Sequence, residues 1–129
     1  MTHYSVLIAD DDAHIRKILA RICQKFDWQI DEAENGETAV EKLDTNDYQI
    51  YVLDVKMPGP SGLELAKIIL EKHPAAAILI LTGYAELEQA IQSIKCGVFD
   101  YIQKDNVDNA LLEQHLTRAA EYHDRRLEQ

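Results

Sequence analysis

Five times along the chain, a short apolar run of strand length gives way to a longer segment with helical spacing, and no linker interrupts the units. Residues 5–9 (SVLIA) lead into Ile15, Ile18, Leu19, Ile22 and Phe26 at helical intervals. Residues 28–33 alternate only weakly, as a less buried strand at or near an edge does, and stop at Asn35-Gly36. Ala39, Val40 and Leu43 then recur with helical period as far as Asn46. Residues 48–53 are rich in β-branched and aromatic types and precede the turn chemistry of residues 57–62. A third helix from about Gly62 to Lys72 offers Leu63, Leu65, Ala66, Ile69 and Leu70 for burial, and Pro74 ends it. Residues 77–81 form the fourth strand, and a helix over 85–96 presents Leu87, Ala90, Ile91 and Ile94 inward before Gly97 at its C-cap. The fifth strand spans residues 98–102. A last amphipathic stretch begins near Asn106, carries Val107, Leu111, Leu112, Leu116, Ala119 and Ala120 on one side, and runs toward Leu127.

Strand and helix alternating five times imply right-handed crossovers and a parallel sheet covered on both faces. The expected fold is α/β, a (βα)5 flavodoxin-like three-layer sandwich whose five-stranded parallel sheet has the order 2-1-3-4-5. Strands one and three are then neighbours. At 129 residues the chain is one domain, large enough to bury a core without disulfides or structural metal.

Thirteen basic residues against twenty-three acidic ones give a net charge of -10, which repels a polyphosphate backbone and argues against direct nucleic-acid binding. No apolar run approaches a membrane span, and the start MTHYSVLIADDD lacks a basic n-region and a cleavage site, so a cytoplasmic location is expected. Cys23 and Cys96 lie within apolar helical patterns and read as buried free thiols suited to a reducing compartment. His3, His14, His73, His115 and His123 are scattered without metal-ligand spacing and read as surface histidines.

Every strand of such a sheet points its carboxyl end at one shared edge, where ligands bind. Four of the apolar runs end on polar side chains: Asp10, Asp11 and Asp12, then Asp54, Thr82 and Lys104. Taken singly each has a plain alternative, since Asp is also a turn former and helix cap, Thr82 an ordinary strand residue and Lys104 a solvated lysine. Asp12 reads as the cap of the first helix. With strands one and three adjacent, Asp54 lies beside Asp10 and Asp11, and carboxylates so concentrated call for a cation. Mg²⁺, which takes oxygen ligands and shares them with phosphate groups, suits the set. A carboxylate can also accept a phosphoryl group covalently, with an ammonium and a hydroxyl neutralising the equatorial oxygens.

In order and spacing, LIADDD, LDVKMPGPSG, LILTGYA and FDYIQKD resemble the receiver domain of two-component response regulators over nearly the whole chain. The resemblance implies that Asp54 is the phosphoacceptor, that Asp10, Asp11, Asp54 and the main-chain carbonyl of Lys56 bind Mg²⁺, and that Thr82 and Lys104 contact the phosphoryl oxygens. It also implies a switch in which Thr82 moves toward the phosphoryl group and Tyr101 swings inward, changing the face formed by helix four, strand five and helix five. The implied partners are a sensor histidine kinase or phosphotransfer protein, an output module or downstream protein on that face, and a weak homodimer; no separate substrate turnover is expected.

Receivers usually carry proline after the active-site lysine, often with a cis bond, whereas this chain has Lys104-Asp105. Either that bond is trans with the loop rerouted, or the site bears the strain of a non-proline cis peptide, about 3–4 kcal/mol. Lys56 and Tyr84 occupy positions that influence dephosphorylation in the family. Residues 1–122 read as the receiver and 123–129 as a helical extension toward an output module, so the chain is expected to be a receiver cut from a longer regulator. A Mg²⁺-dependent phosphohydrolase with an Asp nucleophile is the alternative from another class. Asp10-Asp11-Asp12 meets its D-x-D requirement, but the chain leaves little room for a substrate cap.

Overall fold

The computed structural model describes residues 3–128. Its elements alternate as expected: β1 (Ser5–Ala9), α1 (Ala13–Lys25), β2 (Gln29–Ala33), α2 (Gly36–Thr45), β3 (Ile50–Asp54), α3 (Gly62–Lys72), β4 (Ala77–Thr82), α4 (Leu87–Lys95), β5 (Asp100–Gln103) and α5 (Asn109–Leu127). Two 3-10 turns that periodicity did not reveal, Tyr84–Glu86 and Lys104–Asn106, precede α4 and α5. The five strands form one parallel sheet in the order β2-β1-β3-β4-β5.

Alternate residues of the central strands supply two cores, because successive side chains leave a strand on opposite faces. Val6, Ile8, Ile50, Val52, Leu79 and Leu81 pack with α1 and α5. Leu7, Ala9, Tyr51, Leu53, Ile78 and Ile80 pack with α2, α3 and Ala90 of α4. Buried on both sides, these strands read as continuous apolar runs. Each buried Leu or Ile contributes about 1.5–3 kcal/mol of transfer free energy.

The caps sit where their residue types allow. Asp12 accepts from the His14 amide at 2.9 Å, Asn35 caps α2, Asp108 caps α5, and Ser61 with Glu64 forms a capping box on α3. Gly97, at φ +111, follows α4 in the left-handed conformation that suits glycine.

Three expectations are corrected. Only Ala90 of α4's nine residues is buried, while Ile91 and Ile94 are exposed: the helix packs on β4 and the short β5 through its small-residue side. Cys23 is buried, but Cys96 at the end of that helix is exposed. His123 is buried on α5, its Nδ1 2.8 Å from the Ala75 carbonyl, because α5 keeps contact with the sheet beyond Ala120. Tyr122 stacks on Phe99 at 4.7 Å between centroids, and Tyr4 donates to Asp124 at 2.6 Å. No helix of the described residues is long and apolar enough to cross a membrane.

The loop after β3 is clamped by two close backbone approaches. Gly36 donates to the Pro58 carbonyl at 2.8 Å, and a β-carbon on Gly62 would stand 2.3 Å from the Asp54 carbonyl oxygen. Gly62→Ala is therefore expected to cost about 2–3 kcal/mol in urea unfolding; a cost below about 0.5 kcal/mol would show that the loop relaxes freely.

Candidate functional site

Strand register assembles the site. Ala9 pairs with Leu53, so Asp10 and Asp54, one step further on, end level on adjacent strands. Thr82 closes β4 opposite Gln103, and Lys104 follows directly. The Asp10 amide still donates to the Ala33 carbonyl at 3.0 Å, which carries the pairing with β2 one residue past Ala9.

The centre of the site is one ammonium between two buried carboxylates. Lys104 Nζ donates to Asp10 Oδ1 and to Asp54 Oδ2, both at 3.0 Å. Asp10 has no exposed surface and Asp54 is 3% exposed. Asp10 Oδ1 also accepts the Asp12 amide at 2.9 Å, whereas Asp10 Oδ2, although 2.9 Å from the ammonium, is buried without a hydrogen bond. Asp54 Oδ1 is lightly held, by the Lys56 amide at 3.4 Å. Arg16, which its pattern of spacing did not single out, donates to the Asp10 carbonyl at 2.7 Å and pairs with Glu32.

The Lys104–Asp105 bond is trans, since no described residue follows a cis peptide. The 3-10 turn beginning at Lys104 delivers the ammonium without proline.

Asp10, Asp11 and Asp54 place carboxylate oxygens within 4.8 Å of one another, with Asp11 exposed toward solvent. When all three are ionised, three carboxylates against one ammonium leave two negative charges, the charge of one divalent cation. The unbonded Asp10 oxygen and the hard oxygen donors fit such an ion.

Thr82 and Tyr101 stand apart from this cluster. Thr82 follows Ile78 and Ile80 onto the opposite face of the sheet, and its hydroxyl donates to the Gly83 carbonyl at 3.0 Å. Tyr101 is half-buried against the same core.

Burial first, and the Asp10 carboxylate next, push Asp54 from its ordinary 3.8 up to about 7, against the lowering pull of Lys104. Burial works against the charge on Lys104, but its hydrogen bonds to Asp10 and Asp54 outweigh that and raise it, so it stays protonated at neutral pH. A folded-state value above the ordinary one makes Asp54 a destabilising group whose cost is absent below pH 4 and complete above pH 7. In metal-free protein, Asp54→Asn is expected to stabilise by at least about 1 kcal/mol more at pH 8 than at pH 5 in denaturant titrations. An equal effect at both values would show that Asp54 is not held up in this way.

This fold and this acidic edge define a class of small α/β domains, and comparison with known proteins identifies the family within it. The sequence pattern of the response regulator receiver domain matches residues 6–116. The chain is 38% identical over 99 residues to the transcriptional regulatory protein ResD of Bacillus subtilis, covering 77% of this chain and 41% of ResD. It is 33% identical over 107 residues to the DNA-binding transcriptional regulator NtrC of Escherichia coli K12, covering 82% of this chain and 23% of NtrC. A CheY-like response regulator receiver domain protein of Methanospirillum hungatei superposes with a TM-score of 0.81 at 26% identity, over 94% of this chain and 97% of that one. The chain belongs to the response regulator receiver domain family, and with it to two-component signalling. It spans less than half the length of these two curated relatives.

Proposed function

We propose that this chain is a phosphoryl-accepting switch in which Asp54 receives the phosphoryl group of a sensor histidine kinase or phosphotransfer protein. The observation that carries this reading is the buried Asp54 carboxylate, bound by Lys104 on one oxygen and nearly free on the other. Attack by the lightly held oxygen forms the new P–O bond as the donor's P–N bond breaks, and the donor imidazole keeps that electron pair. Lys104, 3.0 Å from Asp54, neutralises charge on the phosphoryl oxygens. Asp10, Asp11, Asp54 and the Lys56 carbonyl would hold a Mg²⁺ ion, which would supply the remaining neutralisation.

For Thr82 to reach a phosphoryl oxygen, its hydroxyl must leave the Gly83 carbonyl. That rotation vacates space beside the core on which Tyr101 packs, and so couples Asp54 to the surface of α4, β5 and α5. The new dianion favours whichever state lets Thr82 reach it. Helix α4, which fully buries only Ala90, is the helix with the fewest buried residues to hold it against such a shift. We assign residues 1–122 to the receiver and 123–129 to a helical extension toward an output module; Gln129 lies outside the described residues. A cytoplasmic location suits such a partner set.

The test is intact mass after incubation with acetyl phosphate and Mg²⁺. One phosphoryl group is expected, absent without metal and absent in Asp54→Ala; an adduct that persists in that variant rejects the assignment. Lys104→Ala is expected to slow uptake by about tenfold or more, since a charge-neutralising contact is lost.

Trp28 precedes β2 at the opposite end of the strands from the site, packed 4.9 Å from both Tyr4 and Phe26. Mg²⁺ is therefore expected to quench its fluorescence by less than about 10%, and strong quenching would mean that the metal binds elsewhere.

A further inference from the structure

The loops that follow β3 and β4 meet across the mouth of the site, where Lys56 Nζ lies 3.9 Å from Glu86 Oε1. The partners differ in freedom: the Lys56 side chain is 86% exposed and that of Glu86 only 19%. Glu86 is the fixed member, set by the turn that carries it. Its amide donates to the Gly83 carbonyl at 3.3 Å, and its carboxylate folds back so that Oε2 is 3.3 Å from where a Gly83 β-carbon would stand. The same carbonyl accepts the Thr82 hydroxyl. Lys56 in turn is tied to Asp54 through its amide, 3.4 Å from Oδ1. A flexible four-carbon side chain rooted there can lay its ammonium either on Glu86 or over a group attached to Asp54.

Taking Asp54 as the phosphoacceptor, we propose that Glu86 is a positioning residue that shortens the lifetime of the aspartyl phosphate by holding Lys56 away from it. In hydrolysis a water oxygen attacks phosphorus and the bond from phosphorus to the Asp54 oxygen breaks. Its electron pair returns to the carboxylate, and the water proton leaves with inorganic phosphate or to solvent. While Lys56 sits on Glu86, the solvent side of the phosphorus is open to water. Released from Glu86, the ammonium moves to the phosphoryl dianion and covers that approach. The equilibrium between these two anions sets the rate.

The experiment phosphorylates the whole chain with acetyl phosphate and Mg²⁺, removes the donor and follows decay of the adduct by intact mass. Glu86→Gln is expected to lengthen the lifetime about two- to fivefold, the range that an exposed ion pair commands. Lys56→Ala combined with Glu86→Gln is expected to decay like Lys56→Ala alone, and Lys56→Arg to retain the dependence on Glu86. Glu88→Gln, exposed on α4, decays like wild type. Melting temperatures of all variants agree within about 2 °C, because the Lys56 end of the pair is solvated and a 3.9 Å pair of this kind is worth little. A wild-type lifetime in Glu86→Gln overturns the proposal. So does a lengthening that survives in the Lys56→Ala background, which would mean that Glu86 acts on the water directly. A wild-type chain that takes up no phosphoryl group defeats the reading of Asp54 and this inference together, whereas an adduct whose decay ignores Glu86 defeats the inference alone.

Discussion

A carboxylate with no solvent-exposed surface stands at the end of the first strand, and the structure around it is arranged to make that tolerable. Asp10 is held by the Asp12 amide and by the Lys104 ammonium, which reaches it from 94 positions away. Because the same ammonium also binds Asp54, one cation ties together the ends of β1 and β3 and the turn after β5. Removing the ammonium from such a set leaves two buried carboxylates uncompensated, which costs far more than the net worth of either pair. The coupling explains why the acidic edge is a stability problem: burial and Asp10 push Asp54 up, and relief comes from the Lys104 cation.

The sheet divides the site in two. Asp10 and Asp54 follow the alternation of the core shared with α1 and α5, whereas Thr82 and Tyr101 follow that of the core shared with α2, α3 and α4. The carboxylate cluster and the packing of α4 therefore lie on opposite faces, joined where Thr82 ends β4. Helix α4 is suited to respond. It buries one residue, and a groove of about 670 Å³, with Leu63, Leu70, Cys96 and Val98 among its walls, separates it from α3. Few buried contacts mean a low free energy for local displacement.

Much of this was legible in the chain. The five apolar runs, the caps at Asp12 and Asn35, the edge position of β2 and the gathering of Asp10, Asp11, Asp54, Thr82 and Lys104 at one edge follow from local periodicity and the rule that parallel strands share a carboxyl end. What escaped depended on neighbours distant in sequence. Ile91 and Ile94 have helical spacing suited to burial, but only Ala90 is small enough and so placed to lie against β4 and β5. His123 is polar, yet α5 carries it to the Ala75 carbonyl, 48 positions away in the chain. Arg16 and Glu86 have no distinctive local pattern; their partners are a backbone oxygen and a lysine on other loops.

The sequence by itself determined which residues form strands, where they end in acidic or cationic side chains, and hence the fold and the family. These are consequences of periodicity and residue type, which act over a few positions. Only the tertiary structure decided that Lys104 reaches both carboxylates through a trans bond, that the Thr82 hydroxyl rests on Gly83, and that Glu86 faces Lys56. Hydrogen bonds and ion pairs depend on tenths of an ångström between groups far apart in the chain, and those distances exist only once the packed sheet has set the register of its strands.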